Sequence, residues 1–245
     1  MYPIIFKIGQ FTFYTHGLFA LLGIVFGAAT IYYLARARKL DTSFFIDNII
    51  FTVFFGILGA KLVYLLLYWD QFADIKQIFE FWNTGLVSYG GFVAGGMALY
   101  FILKRQKAPI LSWLDISSLG LLVGLFFGRI GEIFAGDIDS IPSSSFLAIN
   151  HQMPVSLFEA IYVMIILIIL LFRFLGKHRV EGETFWLLLI MYPACRFFND
   201  FFRTDAKLIL NFSLGQVFSL VLAVTSLIFY LFFIKGKRRE FYAIR

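Results

Sequence analysis

Residues 119–137 read LGLLVGLFFGRIGEIFAGD. With the residues before it, this run is apolar for the roughly 20 residues that a helix needs to cross a bilayer, yet it carries Arg129. A guanidinium is not deprotonated inside proteins, and an arginine at a membrane helix centre costs about 2.5–3.5 kcal/mol on insertion scales. A chain keeps such a cost where the cation faces a carboxylate, a water-filled cavity or an anionic ligand. Glu132 stands three residues further on, on the same helical face, and can pair with it. Gly128, Gly131 and Gly136 thin one side of the helix. Taken singly, each reads first as a close-packing position. Beside an arginine, they also let a lipid headgroup approach the backbone.

The rest of the chain has the same character. It has 245 residues, 60% hydrophobic and 20% aromatic, with 33 phenylalanines, and its mean hydropathy is +0.85. That composition lies outside the range of soluble domains. Apolar runs recur at about 12–35, 46–68, 86–103, 112–134, 154–175, 183–202 and 213–234, and each is long enough for a helical span. The third and sixth are the weakest, and kinked or re-entrant segments are the alternative there. The first run lacks the basic lead and cleavage site of a signal peptide and is expected to remain. The expected architecture is an all-α polytopic membrane protein of about seven transmembrane helices, forming one domain over residues 1–245.

Loop charges orient it. Arg36, Arg38 and Lys39 follow the first run, Lys104, Arg105 and Lys107 the third, and Arg173, Lys177 and Arg179 the fifth. Lys235, Lys237, Arg238, Arg239 and Arg245 end the chain. The intervening segments are poor in Lys and Arg. This alternation predicts an outer N-terminus and a cytoplasmic C-terminus. The net charge of +6 is then topology and contact with anionic lipid, and no nucleic-acid partner is expected. One cysteine, Cys195, and three scattered histidines give no basis for a disulfide or a metal site. No cofactor is expected.

Arg129 is joined at the same depth by Arg196 and Arg203. In RFFNDFFR (196–203) the spacing of Arg196, Asp200 and Arg203 puts cation, carboxylate and cation on one face if the helix is continuous. Such a stripe is either a self-satisfied ladder bracing the bundle or a phosphate site, because the planar arginine fork binds phosphate oxygens in pairs. Lys61 in GILGAKLVYLLLYW (56–69) calls for a carboxylate or phosphate partner, and Glu159 in PVSLFEAIY (154–162) is one such carboxylate. In SYGGFVAGG (88–96), Gly91 and Gly95 read as a helix-contact pattern. Tyr89 there reads either as an interfacial belt residue or as a site residue.

Together these segments resemble the prolipoprotein diacylglyceryl transferase family of bacterial inner membranes. GRIGEIFAGD is similar to the family's GRIGNFINGE, and RFFNDFFRTDA to RFxxEFFRxPDA. SLGQVFS resembles S-M-G-Q followed by an apolar residue and L-S, and SYGGFVAGG resembles HGGLxGG. GAKLVYLLLYW resembles GxRLxYVLFY, with Lys61 where arginine is usual. PVSLFEA resembles P-S/T-Q-L-Y-E, HGLFALLGI the first-span YGLxxxxGF, and Asp115 lies the expected distance before Arg129. The matches keep the family's order from about residue 14 to 220.

The resemblance implies transfer of the diacylglyceryl group of phosphatidylglycerol to a lipobox cysteine thiol in a prolipoprotein, with glycerol phosphate leaving. Its partners would be phosphatidylglycerol, the signal peptide with its lipobox, and membrane lipids, and its place the bacterial cytoplasmic membrane. It implies catalytic roles for Tyr89, Arg129 and Arg196, and lipid binding by Arg129, Glu132, Gly136, Asp137, Arg196, Asp200 and Arg203. His16, Lys61, Asp115 and Glu159 would support them. Tyr89 stands where the family has a histidine, Glu132 and Ala135 where it has asparagines, Asp137 for a glutamate, His16 for a tyrosine and Ser156 for a glutamine. The proton acceptor for the thiol is therefore open among Tyr89, His16 and Glu132. Two other readings stay in view: a phospholipid-binding relative without thiol chemistry, and a transporter or receptor.

Overall fold

The computed structural model describes the chain apart from residues 1, 10, 70–84, 86, 137–139, 150, 177–179, 205–206, 210 and 235–245. Every apolar run becomes a helix. These are α1 (Thr15–Ala37), α2 (Ser43–Leu67), α3 (Ser88–Arg105), α4 (Ile110–Ala135), α5 (Val155–Leu175), α6 (Glu183–Asn199) and α7 (Leu214–Phe229). Five of them, α1, α2, α4, α5 and α7 with its extension to Phe232, are long and apolar enough to cross a membrane. This is the construction of a multi-pass membrane protein. The other two are the runs read as weakest. α3 spends four of its positions on glycine and ends on Lys104 and Arg105, and α6 carries Pro193 inside it.

Two small antiparallel hairpins depart from the all-α expectation. β1 (Ile4–Ile8) pairs with β2 (Phe11–Tyr14), Phe6 opposite Phe13, so α1 begins at Thr15 rather than near residue 12. The cause is local. IIFKI and FTFY are rich in β-branched and aromatic residues, which favour strands, and Gly9 between them takes a positive φ of 59° that suits a tight turn. The hairpin is fastened to the end of α4 by the Tyr2 N–H, which donates to the Phe134 carbonyl at 2.9 Å. β3 (Lys207–Ile209) and β4 (Phe212–Ser213) form the second hairpin. It feeds α7 through a capping box in which Ser213 and Gln216 satisfy each other's backbone N–H groups. Gln216 Nε2 also reaches the Phe197 carbonyl at 3.4 Å, so the SLGQ segment ties the start of α7 to the end of α6.

The chain forms two compact units, one of residues 1–34 and 114–245 and one of residues 35–113. In the first, α1 and α4 meet antiparallel through glycines. A Cβ added at Gly23 would stand 2.8 Å from the Gly124 carbonyl oxygen, and one at Gly27 would stand 2.7 Å from that of Gly120. Rings close the seam, Phe26 on Phe127 and Phe19 on Phe134, with centroids 4.9 and 5.4 Å apart. In the second unit, α2 and α3 pack the same way. A Cβ at Gly59 would lie 2.6 Å from the Gly90 carbonyl oxygen, and one at Gly91 would lie 3.2 Å from that of Gly56. Lipid tails are as apolar as leucine, so close backbone approach and dispersion carry these contacts. The Gly91/Gly95 pattern thus serves helix packing. At the entry to α2, Asp41 accepts from the backbone N–H of Ser43 at 3.0 Å and from its hydroxyl at 2.7 Å. These bonds hold the carboxyl below its usual range.

Candidate functional site

In the first unit, α4, α5 and α6 present their polar residues at neighbouring ends. Arg129 lies in the last two turns of α4, Glu159 in the second turn of α5 and Arg196 in the last turn of α6. The ends are joined across the bundle. Asn199 Nδ2 donates to the Val155 carbonyl at 3.2 Å, and the Ile141 N–H donates to the Phe202 carbonyl at 3.0 Å.

Glu159 is the centre of the cluster. Its carboxylate is 1% exposed, and one of its oxygens meets three groups: Arg129 Nε at 3.0 Å and the Tyr192 hydroxyl at 2.8 Å, with Arg196 Nη1 at 3.8 Å. Arg196 Nη1 also donates to the Tyr192 hydroxyl at 3.1 Å. Tyr192 and Arg196 are one helical turn apart on α6, so the tyrosine is both donor to the acid and acceptor from the arginine. Sequence reasoning passed over Tyr192. Its only signal was its i, i+4 spacing to Arg196, and a tyrosine in an apolar run has a belt or core role by default.

Around this centre the expected pairs form. Arg129 Nη1 pairs with Glu132, as the i, i+3 spacing allows. Glu132's other oxygen accepts from the Ser156 hydroxyl at 2.9 Å. Two of the departures from the family pattern, Glu132 and Ser156, are therefore bonded to each other. Asp200 Oδ2 lies 3.7 Å from Arg196 Nε. Two guanidiniums, Arg129 and Arg196, thus stand among three carboxylates, Glu132, Glu159 and Asp200. Buried carboxylates fix the direction of each guanidinium fork and leave its remaining N–H groups aimed.

Arg203 does not complete a helical stripe. α6 ends at Asn199, Asp200–Phe202 form a 3₁₀ turn, and Arg203 is extended at φ −92° and ψ 156°. The tighter turn rotates the helical phase, and Arg203 bridges Ser140 through its backbone instead. His16 is exposed in the first turn of α1. Its Cα would lie 3.6 Å from a Cβ built on Gly131, a glycine whose Cβ would also strike Phe19 Cβ at 2.6 Å. Gly131 is thus a packing glycine that brings α1 beside the Arg129–Glu132 pair. Gly136 ends α4 at φ 81° with its N–H on the Glu132 carbonyl at 2.9 Å, a helix-terminating role. Asp137 lies outside the described residues.

Asp115 does separate work. Its two oxygens accept the backbone N–H groups of Gly182 at 2.8 Å and Phe185 at 3.0 Å. They cap the start of α6 from a neighbouring helix, a turn that supplies no cap side chain of its own. Fourteen residues separate it from Arg129 on α4, about 21 Å at helical rise. Nearby, Glu183 accepts from Arg173 Nη2 at 2.6 Å and from the Tyr230 hydroxyl at 3.2 Å. Asp115→Ala should therefore cost about 1–2 kcal/mol, read as a lowered thermal midpoint. Lys61, buried on α2, and Tyr89, half-buried in the first turn of α3, belong to the second unit.

Comparison with known proteins gives these residues a context. The sequence profile of the prolipoprotein diacylglyceryl transferase family matches residues 3–232. Similar proteins include the phosphatidylglycerol–prolipoprotein diacylglyceryl transferases of Wolbachia pipientis, Lactobacillus acidophilus and Streptococcus uberis. The first is 29% identical over 250 residues and covers 94% of each chain. The second is 27% identical over 259 residues, covering 98% of this chain and 92% of the relative. The third is 26% identical over 241 residues and covers 93% of each chain.

Proposed function

This chain belongs to the prolipoprotein diacylglyceryl transferase family, and we propose that it transfers the diacylglyceryl group of phosphatidylglycerol to the lipobox cysteine of prolipoproteins. The observation that carries this reading is the junction of Arg129, Glu159, Tyr192 and Arg196 at the neighbouring ends of three helices. In this reading the chain is one membrane domain of seven spans in the bacterial cytoplasmic membrane, with its N-terminus outside. The clustered helix ends then lie at the outer leaflet's headgroup level. Lipid and signal peptide enter laterally.

The reaction forms a bond between the cysteine sulfur and the glycerol carbon that bears the phosphoester. The carbon–oxygen bond to phosphate breaks, and glycerol phosphate leaves with the electron pair. The thiol proton passes to a base, because only the thiolate is a competent nucleophile. Negative charge grows on the leaving phosphate in the transition state. Fixed guanidiniums in a water-poor site stabilise it there more than in the ground state. Arg129 and Arg196 take that role. Because three carboxylates already surround them, the phosphate needs a further cation. Arg203, in the extended backbone just beyond the 3₁₀ turn, is assigned to it. Asp200 and Glu132 orient the arginines, and Gly136 and Asp137 are assigned to lipid binding from the family's motif. Tyr89 is assigned the proton acceptor, supported by its place before the Gly90–Gly91 pair, where the family carries its histidine.

Incubating the purified protein with phosphatidylglycerol and a lipobox peptide tests this by mass spectrometry. The peptide should gain one diacylglyceryl unit, and Tyr89→Phe should slow the gain at least about a hundredfold. A wild-type protein that binds the lipid and leaves the peptide unmodified would overturn the reaction and leave a lipid-binding relative.

A further inference from the structure

Tyr162 follows Glu159 by three residues on α5, so the two side chains share a face. Its ring lies beside that of Tyr192, with centroids 6.1 Å apart and planes tilted by 54°. The two tyrosines nevertheless differ. The Tyr192 hydroxyl donates to Glu159 and accepts from Arg196. The Tyr162 hydroxyl is buried and has no hydrogen-bond partner among the described residues. A phenol carries one donor and can also accept, and the interior of a bilayer offers no water to satisfy it. Phenylalanine would fill the same space without the stranded group. The hydroxyl is therefore kept at a cost to the fold, beside the ionic cluster.

The position of Tyr162 selects the ligand atom. The arginines gather at the ends of their helices, and Tyr162 lies a turn further from the start of α5 than Glu159, toward the hydrocarbon. A phospholipid whose phosphate meets the guanidiniums has its glycerol and acyl esters next along its length in that direction. A neutral hydroxyl donor matches a neutral carbonyl acceptor. We propose that the Tyr162 hydroxyl donates a hydrogen bond to an acyl ester carbonyl of the bound phospholipid and makes the site selective for ester-linked over ether-linked donors. Tyr162 is then a positioning residue: it holds the glyceryl carbon at the depth where the thiolate arrives. This rests on the transferase reading.

The test compares diester and diether phosphatidylglycerol of equal chain length as donors to a lipobox peptide, for the wild-type protein and Tyr162→Phe, with a thermal melt of each. Wild type should prefer the diester by about tenfold in kcat/KM, the scale of one hydrogen bond. Tyr162→Phe should lose that preference by raising KM for the diester, with kcat within about threefold. Its thermal midpoint should hold or rise, because an unsatisfied buried hydroxyl has been removed. An equal diester-to-diether ratio in both proteins overturns the proposal and leaves the transferase reading intact. A drop in thermal midpoint alongside lost transfer also overturns it, since the hydroxyl would then be bracing the fold. If wild type transfers from neither donor, the transferase reading fails and this proposal falls with it.

Discussion

Arg129→Ala and Arg196→Ala should each lower diacylglyceryl transfer by about a thousandfold, the upper end of what one aimed donor supplies to a developing anion. Each guanidinium is fixed before substrate arrives: Arg129 by Glu132 and Glu159, Arg196 by Tyr192 and Asp200. No reorganisation is then needed as the phosphate gains charge. The substitution has a second consequence that must be separated from the first. Without Arg129, the carboxylates of Glu132 and Glu159 lose their shared cation, and breaking a buried pair from one side costs about 3–5 kcal/mol. The double variant Arg129→Ala/Glu132→Gln removes one stranded charge, so its thermal midpoint should recover while transfer stays lost. Recovery from the membrane fraction and the helical circular dichroism signal check that each variant inserts. Full transfer in both single variants would remove the arginines from the chemistry.

The helices were legible in the sequence because hydropathy over 20 residues is a property of the segment alone. So was the Arg129–Glu132 pair, which needs only the helical period. What failed needed information beyond one helix. The helical stripe of Arg196, Asp200 and Arg203 breaks after its second member, because the chain turns to 3₁₀ at Asp200 and extended at Arg203, and nothing in RFFNDFFR marks that change. The β1–β2 hairpin was hidden because its second strand, FTFY, runs straight into the apolar residues of α1. Only Gly9 and the β-branched and aromatic content distinguish it. Glu159 stood out as a buried acid, but which cation it meets is decided by how α4, α5 and α6 converge. Asp115 shows the converse. Its distance from Arg129 in the sequence suits the family, yet on a straight helix that distance carries it to the opposite end, where it caps α6.

Glu159→Gln should be the most damaging single change that leaves every cation in place. Glutamine keeps the shape, so the loss isolates the charge. The carboxylate oxygen that takes Arg129 Nε at 3.0 Å and the Tyr192 hydroxyl at 2.8 Å, with Arg196 Nη1 at 3.8 Å, is the anion both guanidiniums share. With a neutral amide there, two cations face each other without their common counter-ion. The destabilisation expected is again about 3–5 kcal/mol. Transfer should fall by about 10²–10³, because the forks are no longer aimed. The variant should respond differently from wild type to an added anion. Glycerol phosphate brings a negative charge to a site that has just lost one, so it should raise the thermal midpoint of Glu159→Gln by more than that of wild type. Stabilisation by a ligand follows its affinity for the folded state, so the difference between the two shifts reports the charge the carboxylate supplied. Equal shifts, or wild-type transfer in the variant, would show that the guanidiniums are held by other groups. A larger shift with transfer still lost would show that the carboxylate both holds the arginines apart from the phosphate at rest and points them at it during the reaction.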